Sequence, residues 1–133
     1  MVRKTGEGLT LFALDDEKDI CFFMEKIFTA MGFNVHTAMT GQAAVNLLKV
    51  VRPDIAVLDI YLSKGTMNGI DVLKFIKTQW PRCACLMMTR ADDRKLIDQS
   101  TALGAVDYLL KPMTLVKVKR AISKITKKLG KGG

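Results

Sequence analysis

Asp15, Asp16 and Asp59 stand where apolar runs stop. Leu11 to Leu14 runs into Asp15 and Asp16, and Ala56 to Leu58 runs into Asp59. A carboxylate sealed at the end of an apolar segment is costly unless something nearby makes negative charge welcome. Two strand-like runs that both end in acid point to one shared site. Three close carboxylates repel one another, and a hard divalent cation with oxygen ligands, such as Mg²⁺, removes that repulsion. A carboxylate oxygen in such a setting is a nucleophile toward a phosphoryl group whose charge is shared with the metal, an ammonium and a hydroxyl. Thr89 and Lys111, each at the end of a further apolar run, supply the hydroxyl and the ammonium, and Asp59 is the natural attacking group. The product would be an aspartyl phosphate.

These side chains reach one place only if the chain alternates regularly. Five short apolar runs read as strands: Leu9 to Leu14, Phe33 to Thr37, Asp54 to Tyr61, Cys83 to Thr89 and Ala105 to Leu110. Four helical patterns lie between them and one follows. The first, Glu17 to Met31, has Ile20, Phe23, Met24, Ile27 and Met31 on one face and Gly32 at its end. Thr40 caps the second, which runs to Val51 with Ala44, Val45 and Leu48 inward and Pro53 as a stop. The third spans Gly69 to Gln79 with Ile70, Leu73 and Ile76 as its stripe, and Pro81 closes it. Asp92 or Asp93 caps the fourth, which ends at Leu103. Thr114 opens the last, in which Leu115, Val118, Ile122, Ile125 and Leu129 keep the period. Strand and helix in strict alternation give an α/β fold, a parallel sheet with helices on both faces. Ligands of such sheets sit at the carboxyl ends of the strands, where all five polar residues fall.

With 133 residues, 49% of them hydrophobic, the chain supports one core and one domain. Residues 1–8 and 130–133 read as flexible tails around a domain over 9–129. No apolar stretch approaches the ~20 residues of a membrane span, and the N-terminus lacks the apolar segment of a secretion signal, so a soluble, cytoplasmic protein is expected. Cys21, Cys83 and Cys85 are too scattered for a disulfide framework and too poor in partners for zinc, and His36 reads as an ordinary strand residue. The net charge of +8 is local: acidic and basic residues balance through residue 110, and the whole excess lies beyond it. A neutral domain with a basic last helix is implied, and no recognition motif supports a nucleic-acid partner.

At this point the sequence resembles the receiver domain of two-component response regulators over residues 9–129. The resemblance rests on the Asp15-Asp16-Glu17 triplet, Asp59, the MNGIDVL segment from Met67, Thr89, and AVDYLLKP ending at Pro112, in that order. It implies a flavodoxin-like (βα)5 fold, a doubly wound five-stranded sheet of order 2-1-3-4-5. It implies that Asp59 is the phosphoacceptor, that Asp16 and Asp59 ligate Mg²⁺ (or Mn²⁺ in its place) directly with Asp15 acting largely through water, and that the backbone carbonyl of Tyr61 completes the set. Thr89 would be the hydroxyl that swings toward the phosphoryl group, Tyr108 the aromatic that rotates in response, and Lys111 the phosphate's cation, aimed by a cis bond to Pro112.

The chain departs from the family pattern around the mouth of this site. Gly69 follows Asp59 by ten residues rather than about eight, and the usual Pro of the intervening loop is missing, so that loop should be longer and more mobile. Arg90 replaces the small residue usual after Thr89. It is expected to face solvent, with pairing to phosphate or crowding of the entrance as alternatives. Tyr61 stands where the family tunes access of hydrolytic water.

The resemblance implies a signalling switch rather than a turnover enzyme. A histidine kinase or histidine phosphotransfer protein would donate the phosphoryl group, and the face of the fourth helix, fifth strand and fifth helix would meet a downstream partner or a second copy. A haloacid-dehalogenase-type phosphatase also uses a strand-end Asp but wants a second acid two residues on, where this chain has Tyr61. A phosphorylation-independent binding module of the same fold is the remaining alternative, against which the intact set of five site residues speaks. Lys117, Lys119, Arg120, Lys124, Lys127 and Lys128 form a solvated basic face or contact an acidic partner. Both a stand-alone receiver and a piece of a longer chain fit this pattern.

Overall fold

Continuous aliphatic runs only stay in water-free surroundings on both sides, and the computed structural model, which describes residues 4–90 and 93–129, places them so. In chain order the elements are β1 (Thr10–Leu14), α1 (Lys18–Ala30), β2 (Asn34–Ala38), α2 (Gly41–Leu48), β3 (Ile55–Asp59), α3 (Gly69–Gln79), β4 (Ala84–Thr89), α4 (Arg94–Ala102), β5 (Asp107–Leu110) and α5 (Leu115–Lys128). All strand pairs are parallel, in the order β2-β1-β3-β4-β5. Every residue of β3 and β4 is buried, as the unbroken apolar runs require, while β5 at the edge is only half covered.

The strand alternation sorts the core into two layers. Leu11, Ala13, Ile55, Val57, Leu86 and Met88 meet Met24 and Phe28 of α1 and Val118, Ile122 and Ile125 of α5. Phe12, Leu14, Ala56, Leu58, Cys85 and Met87 meet Ala44 and Leu48 of α2 and Ile70, Leu73 and Ile76 of α3, with Leu96 of α4 against the same layer. The three cysteines are buried free thiols.

Local chemistry sets the helix ends. Thr40 and Thr114 cap α2 and α5 through their side chains, and Asp93 caps α4 by accepting from the Leu96 N–H at 3.3 Å. Asp92, the other candidate cap, lies outside the described residues. Asn68 and Asp71 form a reciprocal capping box at α3, which the sequence reading did not anticipate.

Three details differ from expectation. The buried stripe of α1 is Cys21, Met24 and Phe28, so that Ile20, Phe23 and Ile27 flank the core half-buried. Phe28 on that stripe packs edge-on against Phe33, with ring centres 6.2 Å apart. α2 ends at Leu48 rather than Val51, since the Val50 and Val51 amides both turn back to the Leu47 carbonyl. Leu115, placed inward by periodicity, is exposed at the first turn of α5, and burial begins at Val118. Residues 4–8 form a turn in which the Gly6 N–H donates to the Met31 carbonyl at 2.7 Å; residues 1–3 and 130–133 of the expected tails lie outside the described residues. No helix among the described residues is long and apolar enough to cross a membrane.

Candidate functional site

The site lies at the carboxyl ends of the central strands. β1 releases the chain at Leu14, so Asp15 and Asp16 fall just past it, and Asp59 is the last residue of β3 beside it. A carboxylate oxygen from each of Asp15, Asp16 and Asp59 lies within 4.8 Å of the others. Lys111 enters from the chain beyond β5. Its Nζ lies 2.7 Å from Asp15 Oδ2 and 3.1 Å from Asp59 Oδ2. Its backbone N–H donates to the Thr89 carbonyl at 2.8 Å, and the following bond to Pro112 is cis, as expected.

Asp15 is fully buried; its Oδ1 accepts from the Glu17 N–H at 2.8 Å, while Oδ2 has no hydrogen-bond partner among the described residues but lies 2.7 Å from the Lys111 ammonium. Asp16 is partly exposed, and its Oδ2 accepts from the Ser63 N–H at 2.8 Å. Asp59 is different. It is 2% exposed, Lys111 holds Oδ2, and Oδ1 has no hydrogen-bond partner among the described residues. A buried acceptor left unmatched is costly, so this oxygen is where an incoming electrophile or cation is most welcome.

The electrostatics follow from these contacts. Burial first, and then the Asp15 charge, push the Asp59 carboxyl up to about 6, against the partial relief that Lys111 gives. For Asp16, burial pulls upward, but the Ser63 side-chain and backbone contacts and Lys111 outweigh it and hold the group below the ordinary carboxylate value. Burial works against the Lys111 ammonium, yet the Asp15 and Asp59 carboxylates more than compensate and raise it.

Two further features shape the pocket. A Cβ at Gly69 would overlap the Asp59 carbonyl oxygen, so only glycine lets α3 begin directly against the end of β3, where the Gly69 N–H donates to the Ile60 carbonyl at 3.0 Å. The longer loop before it has a use that sequence reading missed, because it delivers the Ser63 amide to Asp16. Its extra length was the only signal.

Thr89 is fully buried at the end of β4, one residue past Met88, which pairs with Asp59. Tyr108, half-buried on β5, carries the Arg94 guanidinium 5.9 Å from its ring centre. Arg90 is exposed, and its guanidinium lies 5.8 Å from the centre of the Tyr61 ring. The Tyr61 hydroxyl donates to Asp93 Oδ2 at 2.8 Å, a second use of that residue which sequence reading also missed.

The side-chain candidate ligands are all carboxylate oxygens, hard donors at a spacing one small cation can bridge, and Asp59 Oδ1 among them is buried with no hydrogen-bond partner among the described residues. The residues therefore fit Mg²⁺ or Mn²⁺ and do not fit a metal that prefers nitrogen or sulfur.

A family model for the response regulator receiver domain matches residues 11–123. The chain belongs to this family. Receiver domains are the phosphorylation switches of two-component systems, and they bind Mg²⁺ at an acidic cluster. This receiver is 28% identical over 130 residues to TcrX, a probable transcriptional regulatory protein of Mycobacterium tuberculosis, covering 98% of this chain and 55% of that protein. To the chemotaxis protein CheY of Thermotoga maritima it is 28% identical over 121 residues, covering 90% of this chain and 99% of that one. The crystal structure of the receiver domain of NtrX from Brucella abortus matches with a TM-score of 0.81 at 23% identity, over 88% of this chain and 98% of that one, a likeness of fold. The chain thus spans about half the length of TcrX.

Proposed function

We propose that Asp59 is the phosphoacceptor of this receiver and that a histidine kinase or histidine phosphotransfer protein in the cytoplasm is the donor. The observation that carries this reading is the asymmetry of the Asp59 carboxylate, with Oδ2 held by Lys111 and Oδ1 buried without a hydrogen-bond partner among the described residues. Oδ1 attacks the phosphorus of a phosphohistidine. An O–P bond forms as the N–P bond breaks, and the electron pair of that bond leaves with the imidazole. Mg²⁺, when bound by Asp16, Asp59 and the Tyr61 carbonyl, with Asp15 reached through water, supplies positive charge to the phosphoryl oxygens and relieves carboxylate repulsion.

Lys111 remains near both carboxylates and is placed to pair with the phosphoryl group once Asp59 carries it. Thr89, buried next to the site, offers its hydroxyl to a phosphoryl oxygen, and Tyr108 responds on the neighbouring strand. Interactions made only in the phosphorylated state shift the population of the α4-β5-α5 face, where a downstream protein or a second copy binds. The exposed lysines and Arg120 of α5 suit an acidic surface on that partner.

The test is incorporation of phosphate from acetyl phosphate with Mg²⁺. Wild type should form an acid-stable, base-labile adduct and Asp59→Asn should form none. A wild type that takes up no phosphate would leave the chain as a binding module that works without it.

A further inference from the structure

We propose that Asp93 is a positioning residue that clasps Tyr61 over the α4 side of the Asp59 pocket and thereby slows the arrival of water at the aspartyl phosphate. The proposal rests on the phosphoacceptor reading above. Its physical basis is a contact between residues 32 apart in sequence: the Tyr61 hydroxyl donates to Asp93 Oδ2 at 2.8 Å. The other oxygen of Asp93 accepts from the Leu96 N–H at 3.3 Å and so caps α4. One carboxylate therefore ties the chain leaving β3, two residues past Asp59, to the first turn of α4.

Two further contacts reinforce the clasp. The Tyr61 ring packs against the core layer of α2 and α3, and the Arg90 guanidinium lies 5.8 Å from its centre. An aromatic ring held by packing, by a charged acceptor at its tip and by a cation near its ring has little freedom to swing away. Arg90 follows Thr89 directly, so the clasp closes between the strand ends that carry Asp59 and Thr89. The same link makes α4 a party to pocket access: a partner that pulls on the α4 cap loosens the Tyr61 ring.

Hydrolysis requires a water oxygen to form a bond to phosphorus while the bond from phosphorus to the Asp59 oxygen breaks, the water's proton passing to solvent. A ring held beside that path excludes water, and a released ring admits it. The variants Tyr61→Phe and Asp93→Ser separate the clasp from the fold. Phenylalanine keeps the packed ring, and serine keeps the α4 cap but is too short to reach Tyr61. Each should shorten the lifetime of the phosphorylated protein by about fivefold, roughly the worth of one hydrogen bond, and the double variant should match either single one. Asp93→Asn, whose amide can bond the phenol oxygen, should stay within about twofold of wild type.

Hydrogen exchange on the unphosphorylated protein gives a second readout: Tyr61→Phe should raise exchange at the amides of the first turn of α4, far from the substituted side chain in sequence. Wild-type protein that is phosphorylated while both single variants decay at the wild-type rate, or whose effects add in the double variant, would overturn the clasp. Wild type that takes up no phosphate would instead overturn the phosphoacceptor reading, and unchanged α4 exchange in Tyr61→Phe would then overturn the clasp as well.

Discussion

Lys111 Nζ lies 3.1 Å from Asp59 Oδ2 and nearer still to Asp15, so one ammonium serves two buried carboxylates that would otherwise repel each other. Removing the shared cation leaves both negative charges uncompensated, which is strongly destabilising, by about 3–5 kcal/mol. Lys111→Met should therefore lower the melting temperature at neutral pH. Millimolar Mg²⁺ should recover more of that loss than it adds to wild type, because a competing cation has been removed. Melting curves of both proteins with EDTA and with Mg²⁺ check this.

Asp59 itself should be a liability to the apo fold. Its folded carboxyl titrates at about 6 against 3.8 for an unperturbed one, so between those values the folded state binds more protons than the unfolded state. Stability then falls as pH rises through that window and stays reduced above it. Asp59→Asn should be more stable than wild type at about pH 7.5 without metal, by about 1–3 kcal/mol, and the gap should close by about pH 4. Urea unfolding across pH in EDTA measures it.

Metal binding should narrow that gap. A cation that binds only the folded state adds about 1.4 kcal/mol at ten times its Kd. Because protons compete for the same carboxylates, the added stability should shrink as pH drops below about 6, and Asp59→Asn should show little of it at any pH. Thermal shift against Mg²⁺ concentration at several pH values follows both effects.

Gly69→Ala should damage the site without touching a charged group. The added methyl group overlaps the Asp59 carbonyl, so the start of α3 and the end of β3 must part. A loss of roughly 2 kcal/mol or more is expected, together with weaker Mg²⁺ binding, and calorimetry on the folded variant separates the two.

The fold was legible because its strands are nearly pure apolar runs and three of its helices carry caps at readable positions. Thr40, Asp93 and Thr114 cap where their types and spacing suggest, and the acids at the ends of β1 and β3 meet as two interrupted apolar runs imply. Helix rotation was less legible. Periodicity alone does not distinguish an α1 face centred on Ile27 from one centred on Phe28, and what Phe28 meets, Phe33 among it, lies outside the helix. The contacts of Ser63 and Asp93 were invisible for a related reason. Each depends on how a loop lies in space, and a loop backbone amide or a carboxylate already assigned to a cap carries no pattern that a sequence displays.

The strand order also has a mechanical meaning. β3, which carries Asp59, is flanked on both sides by hydrogen-bonded strands and sealed above and below, whereas β5, which carries Tyr108, has a neighbour on one side only. Backbone in the middle of a sheet opens far less readily than backbone at its rim. The proposed phosphoacceptor is thus bolted to the central beam of the sheet, and Tyr108 rides on one of its two edge strands. On the function proposed above, substitutions on the rim retune which neighbour is recognised while the anvil on which the phosphate is struck keeps its shape.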